Sequence, residues 1–400
     1  MLLLLIFSTG ELHAQTNLRL ADALQLASAN NNDLKNEQLN TVYSKLQQKA
    51  AVNIPQTNLS TEFGQINSAY YDTKFGISQG FDFPLVYVRQ KQYATEEFKK
   101  SQFQLKLKEQ ELKREVSLVF YELVYLQQKL KLLEKADSGF VTFAQKAGFR
   151  FKAGESNVVE KAAAENQHIQ IAVQRLALDN DILTVQAQLN ALLHTNQQYQ
   201  VIWEDNAISI SNTTDTAILS THQELLVLNQ QKIIQQKQVQ LEKSKLLPEL
   251  FLGYSNTSIR GTGADNVTYN SAFRFQTGQI GIGVPLFFGA QSARIKSAKV
   301  LTQMAENNVL QKRLQLQLDY SRLTAQYNKA KEQLVYFEHD ALQNAETISG
   351  AATKQFVNGE INYLEWVMLT HQTIAIRSQY LDAQKSYYET IIQLNYLLHQ

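Results

Sequence analysis

Tyr71-Asp72-Thr73-Lys74-Phe75-Gly76-Ile77-Ser78-Gln79-Gly80-Phe81-Asp82-Phe83-Pro84 alternates bulky apolar side chains with small or polar ones, then stops at a proline. A period of two is how a strand separates its faces, so this stretch predicts a half-buried strand of about ten residues. A partner strand is expected around Asn58 to Ile66. Beyond Pro84 the composition changes to Gln, Leu, Lys and Glu. From Tyr87 to about Lys146 there is no proline and Gly139 is the only glycine. The chain has four prolines, Pro55, Pro84, Pro248 and Pro285. They form two pairs, each fencing off an aromatic, Gly- and Thr-rich stretch. Proline lacks a backbone donor and disfavours helix in the residue before it, so each pair reads as a break between helix and hairpin.

The pattern occurs twice. Gln188-Leu189-Asn190-Ala191-Leu192-Leu193-His194 returns as Gln393-Leu394-Asn395-Tyr396-Leu397-Leu398-His399, an offset of 205. The same offset carries Phe151, Gly154, Glu155, Asn157 and Glu160 onto Phe356, Gly359, Glu360, Asn362 and Glu365. Upstream, Leu112, Val116, Val119, Leu123, Leu126, Leu130 and Leu133 step alternately by 4 and 3. An offset of 204 takes them onto Leu316, Tyr320, Leu323, Tyr327, Ala330, Leu334 and Phe337. A mean spacing of 3.5 is a coiled-coil seam. The first long helix would run about 90 Å at 1.5 Å per residue. The second runs from about Gln291 to Lys354. Each turns near Gly154 or Gly359 and returns over Asn157 to Leu193 or Asn362 to Leu398. Shorter helices over Leu20 to Asn53 and Leu219 to Leu247 precede the hairpins. The expected domains are a leader remnant at 1–14, a first repeat at 15–197 with hairpin 55–84, a link at 198–218, and a second repeat at 219–400 with hairpin 248–285.

The second hairpin offers Leu250, Leu252 and Tyr254, then Phe273 and Phe275, then Ile280, Ile282 and Val284. The parity change between Phe275 and Ile280 predicts a bulge at Gly278. Strands with one apolar face and one small or polar face suit an outer-membrane barrel, and also a half-buried hairpin of a soluble protein. Both hairpins sit at the same end of very long helices, which favours the barrel. Four strands cannot close one, and lipid does not tolerate open edges, so the chain must complete its sheet with further copies. Two copies would give eight strands and three would give twelve.

Net charge is +1 with no basic patch, which disfavours nucleic acid. Cysteine is absent, which excludes disulfides and zinc-thiolate sites. Leu2 to Phe7 followed by Leu12-His13-Ala14 resembles the apolar core and cleavage site of a secretory signal. No run of 18 apolar residues is present. Histidines 13, 168, 194, 222, 339, 371 and 399 have no ligand spacing, so no metal cofactor is expected. No nucleophile–base–acid set appears, the glycines from Gly278 to Gly283 precede no phosphate-binding helix, and no other cofactor is indicated. Tyr199, Ile202 and Trp203 in the link read as a packing patch.

These features resemble the TolC-type outer-membrane efflux proteins from about Leu18 to Gln400. The likeness rests on the opening pattern Leu20, Ala23, Leu24, Ala27, Asn31 and Leu34, on the Phe-x-x-Gly-Glu turns at Phe151 and Phe356, and on Phe83-Pro84-Leu85 with Val284-Pro285-Leu286. The resemblance implies a mainly α fold with a β-barrel contribution and a homotrimer. The trimer would carry a twelve-stranded barrel in outer-membrane lipid, continued by a helical periplasmic tunnel. It implies a periplasmic adaptor and an inner-membrane pump as partners, and a passive exit duct rather than an enzyme. Gln279 to Ala290 looks most like relatives paired with heavy-metal exporters of the resistance-nodulation-division class. A multidrug or type I secretion duct is the alternative. A periplasmic adaptor, disfavoured by the two full copies with alternating strands, or a structural coiled coil, disfavoured by the paired hairpins and the signal-like start, is a further one.

The resemblance also points to residues. Glu160 and Glu365 stand where family members carry an acidic ring at the tunnel mouth, with Glu155 and Glu360 beside them. Asn157-x-x-Glu160 and Asn362-x-x-Glu365 are equally capping-box patterns, and the two readings are compatible. Gly154 and Gly359 are expected at the periplasmic tip, and Pro55, Pro84, Pro248 and Pro285 where barrel becomes tunnel. Phe356 stands where some members have a gate tyrosine, Ile361 where they have an arginine, and Met368 where they have a second acid. A closing network would then draw on others, such as Arg150, Lys152 or Lys354.

Overall fold

A computed structural model describes residues 16–66, 69–154, 158–197, 199–202 and 216–398. The leader-like residues 1–14, together with Glu155, Asn157, Trp203 and His399, lie outside the described residues. In chain order the elements are β1 (Thr16–Leu18), α1 (Leu20–Asn30), α2 (Asn32–Ala50), β2 (Asn58–Gly64), β3 (Asp72–Phe81), α3 (Pro84–Lys152), α4 (Val158–Leu193) and β4 (Tyr199–Val201). A 3₁₀ turn (Thr216–Thr221) leads into α5 (Gln223–Ser244), β5 (Glu249–Ser258), β6 (Gly261–Thr262), β7 (Thr268–Tyr269), β8 (Arg274–Gly283) and α6 (Gly289–Tyr336). A π-helical turn (Phe337–Ala341) then joins α7 (Leu342–Val357), and α8 (Tyr363–Leu398) closes the described chain. The chain divides into two compact units.

The first unit comprises residues up to Asn36, Leu107–His222 and Leu314–Gln400. Its seam is the heptad one. Leu112, Val116, Leu123, Leu126, Leu133 and Phe140 are buried on α3, and Ala164, Ile171 and Leu178 answer at intervals of seven on α4. On the second copy Leu316, Leu323 and Ala330 are buried, again seven apart, and then Ala345 and Ala352. From Ala330 to Ala345 is fifteen residues, one more than two heptads. The π-helical turn at Phe337–Ala341 lies in that interval and absorbs the extra residue, returning the seam to the same side. This explains why the repeat offset grows from 204 at Leu133/Phe337 to 205 at Phe151/Phe356.

A single helix over Leu20 to Asn53 is not observed. Asn31 is extended (ψ 123°) and separates α1 from α2. Its Oδ1 accepts the Leu34 N–H at 3.0 Å, capping α2, while its Nδ2 donates to the Leu192 carbonyl at 3.3 Å. Asparagine competes for backbone partners in this way, which outweighs helix continuity. In the link, β4 pairs in parallel with β1, Thr16 opposite Tyr199. The Ile202 N–H donates to the Leu18 carbonyl at 3.0 Å, and Tyr199 is buried.

The second unit comprises Glu37–Lys106 and Gln223–Arg313. It holds a four-stranded sheet in the order β2-β3-β5-β8, every neighbour antiparallel. The two hairpins thus join through β3 and β5, leaving β2 and β8 as edges. One face carries Leu59, Thr61 and Phe63; Thr73, Phe75, Ile77, Gln79 and Phe81; Leu250, Leu252, Tyr254, Asn256 and Ser258; and Arg274, Gln276, Gly278, Ile280 and Ile282. The other carries polar or small residues, with Phe251 and Phe275 as the large exceptions. The expected bulge at Gly278 is absent, because Glu249↔Gly283 through Ser258↔Arg274 pair without a skipped residue. Phe275 instead lies on the small-residue face, in ring contact with Phe273 and Tyr269 at 5.2 Å each. Phe251 lies over glycines on that face: a Cβ on Gly253 or Gly281 would come within 3.2 or 3.5 Å of its ring.

Candidate functional site at the helical turns and on the sheet

Each long helix ends in a glycine turn. Gly154 and Gly359 both have φ +74°, a left-handed conformation that favours glycine. At the second turn the Glu360 N–H donates to the Gln355 carbonyl at 2.8 Å and the Gly359 N–H to Phe356 at 3.1 Å. These are the two bonds of a Schellman cap. At the first turn the Gly154 N–H likewise donates to the Phe151 carbonyl at 3.1 Å.

The capping-box pattern at the second turn is realised in both directions. The Asn362 N–H donates to Glu365 Oε2, and the Glu365 N–H to Asn362 Oδ1, each at 2.9 Å. Glu360 accepts a bond from Asn358 Nδ2 at 3.1 Å. Glu160, in the first turn of α4, is half-buried. A cavity of 740 Å³ brings Glu160, Glu360, Glu365, Lys146, Phe143 and Tyr363 around one space. Burial, and then the charge of Glu160, pushes the Tyr363 phenol up to about 12, so it stays protonated at neutral pH. Its hydroxyl is buried without a partner among the described residues.

Phe356, Ile361 and Met368 diverge in their surroundings. Phe356 packs edge-on against Phe143 at 5.0 Å and touches Trp366 at 5.7 Å and Tyr363 at 6.3 Å. It serves the aromatic core rather than a hydroxyl bond. Ile361 packs against the same cluster, and Met368 is exposed. The side chain of Arg150 lies outside those described. Sequence reading missed this aromatic cluster, which also holds Phe140. It also missed Asp137, whose carboxylate accepts from Arg175 Nη1 at 2.6 Å and lies 3.0 Å from His168 Nδ1. The signal was present: Asp137 falls at the heptad step between Leu133 and Phe140.

Among the described residues no group of three or more His, Asp or Glu could hold a metal ion. No described helix is long and apolar enough to cross a membrane. The sheet has a different character. Leu59 is 79% and Ile280 83% exposed, and Phe63, Phe75, Ile77, Leu252, Tyr254 and Ile282 are exposed with them on one face. All four prolines belong to the sheet-bearing unit. Pro84 is the first residue of α3, and Pro55, Pro248 and Pro285 lie between helix and strand. The Pro55 carbonyl accepts from Gln79 Nε2 at 2.7 Å.

The model of the outer membrane efflux protein family matches residues 217–398. The chain superposes on CusC with a TM-score of 0.80 at 15% identity, over 95% of this chain and 91% of that one. The fold is that of the TolC-type outer-membrane efflux channels. The CmeC outer membrane channel of Campylobacter jejuni gives 0.75 at 16% identity, over 95% and 85%. The open MtrE outer membrane channel of Neisseria gonorrhoeae gives 0.76 at 14%, over 95% and 88%. No curated protein sequence matches the chain. The family match spans the second repeat, with the Gly359 turn and the α8 capping box. The channel fold extends over the first repeat as well, whose Gly154 turn has the same φ.

Proposed function

We propose that the chain is one protomer of a trimeric outer-membrane duct, the passive exit component of a tripartite efflux pump. The observation that carries this reading is the sheet: four strands, two open edges, and one face of exposed apolar side chains. Backbone at open edges must pair in lipid, and copies of the same chain supply matching edges. Three copies make twelve strands, enough for a lumen that side chains do not fill. The partners are a periplasmic adaptor and an inner-membrane pump of the resistance-nodulation-division class. Heavy-metal cations are the proposed cargo, on the likeness of Gln279 to Ala290 to relatives of such exporters. The four prolines mark the junction of barrel and tunnel, and Gly154 and Gly359 the periplasmic tip.

Glu160 and Glu365, with Glu155 and Glu360, set cation preference at that tip. Three chains would supply up to six carboxylates from Glu160 and Glu365 alone, a cation-attracting ring. Glutamine at the third helical position also completes a capping box, so Glu→Gln removes charge while sparing the helix start. Purified channel in planar bilayers is expected to conduct, and Glu160→Gln/Glu365→Gln to lose cation selectivity. No conductance would sink the duct, while conductance with unchanged selectivity would sink the role of these carboxylates alone.

A further inference from the structure

The exposed face of the sheet is graded along the strands. Its rows, read from the helix end, are Phe81, Leu250 and Ile282; then Gln79, Leu252 and Ile280; then Ile77, Tyr254 and Gly278. Next come Phe75, Asn256 and Gln276, and last Thr73, Ser258 and Arg274. The first three rows are mostly apolar and the last two mostly polar. Arg274 is the only charged residue on this face of the strands. From Ile282 to Arg274 is about 27 Å of strand, which the ~35–45° tilt of barrel strands turns into about 19–22 Å of height, somewhat less than the ~25 Å apolar band of an outer-membrane barrel. Arginine facing lipid is costly at mid-depth and tolerated near an interface, and Arg274 lies at the end of β8 away from the helices, which the barrel reading makes an interface.

The guanidinium is held rather than free. Nη1 donates to Thr73 Oγ1 at 2.7 Å and Nη2 to the Asn256 carbonyl at 2.9 Å, while Nε bonds Asn256 Oδ1. Its carbon sits 5.3 Å from the centre of the Phe75 ring. No carboxylate pairs with it among the described residues. The nearby buried Asp72 accepts from Ser258 Oγ at 3.0 Å and from the Arg260 N–H at 3.1 Å. A guanidinium has five N–H donors, and the three bonds to described residues leave two, one on each terminal nitrogen. Two N–H groups in a planar fork match two oxygens of a phosphate.

We propose that Arg274, fixed by Thr73, Asn256 and Phe75, binds the phosphate of an anionic lipid headgroup at the outer rim of the barrel. This rests on the outer-membrane reading above. Two features favour a lipid over a soluble anion. The site shares its face with the apolar rows, where acyl chains would lie, and Leu252, Tyr254, Ile280 and Ile282 of those rows are exposed, while Arg274 itself is half-buried beside the buried Ser258.

The test uses the full chain purified in detergent and native mass spectrometry. The added probes are diphosphoryl lipid A, phosphatidylcholine, and inorganic phosphate as a competitor. Wild type is expected to retain lipid A at least about fivefold more than Arg274→Gln. Arg274→Lys should fall between them, since an ammonium keeps the charge but loses the fork. Phosphatidylcholine retention should not differ among the three. Equal lipid A retention by wild type and Arg274→Gln would overturn the proposal. Displacement of lipid A by equimolar inorganic phosphate would assign the site to a free anion. Loss of the assembled mass in both variants would assign Arg274 to a neighbouring chain. A wild-type chain that is soluble without detergent would refute the barrel reading itself, before any question of Arg274.

Discussion

Gly359 and Gly350 ask opposite things of a methyl group. At Gly359 a Cβ meets no atom of the described residues within 4 Å, so space is not the constraint; the φ of +74° is. An L-residue there costs about 1–2 kcal/mol. Gly350 lies inside α7 with equally open surroundings, and alanine in a helix interior gains about 1 kcal/mol over glycine. We therefore expect Gly359→Ala to lower the midpoint of chemical unfolding and Gly350→Ala to raise it. Equal shifts would refute the assignment of strain to the turn. The turn glycines were legible in the sequence because their spacing repeats with the helices around them. The role of Phe356 was not, since a ring in a turn motif does not announce which aromatic neighbours it will meet.

The long helices carry their information in register. Asp137 occupies a seam step on α3, and only partners three and more turns along α4 make it tolerable. Arg175 lies 2.6 Å from its Oδ2 and 3.7 Å from Glu134 Oε1, with His168 on the other oxygen. Removing one partner from such a cluster costs about 1–3 kcal/mol, and both together less than the sum. A double-mutant cycle of Asp137→Ala and Arg175→Gln, read by thermal unfolding, should give a coupling above about 0.5 kcal/mol. Strict additivity would show the contact to be incidental. The π-helical turn makes a second, sharper claim. Deleting Glu338 would place Ala330, Phe337, Ala345 and Ala352 on uninterrupted sevens, so the variant should fold with slower amide exchange over the former turn. Deleting Gln128 from α3 would throw Leu133 and Phe140 off the seam and should lower the melting temperature. If both deletions destabilise alike, the extra residue is not what the turn accommodates. The repeat offsets already recorded that residue as a step from 204 to 205, but nothing in the letters said whether it became a loop, a kink or a wider turn. Packing of the seam decided for the wider turn. The break at Asn31 went unread for a related reason: its side chain caps one helix and reaches Leu192, a partner 161 residues away.

For the whole molecule, duplication and punctuation by proline were enough to place helix, hairpin and turn in order. The pairing of the two hairpins through β3 and β5, without a bulge, came only with the structure, because alternation fixes faces but not neighbours. What the sheet leaves unsatisfied, the outer edges of β2 and β8, is the physical reason for the proposed assembly. The native chain has no cysteine, so introduced thiols report on those edges alone. Thr61 on β2 and Gln276 on β8 occupy one row of the sheet, at opposite edges. The decisive measurement is cross-linking of detergent-solubilised Thr61→Cys/Gln276→Cys chain with a short flexible bismaleimide, resolved on a denaturing gel. A trimer closed edge to edge predicts a ladder that rises to three chains and stops. A chain that remains monomeric, or a ladder that continues past three, would contradict it.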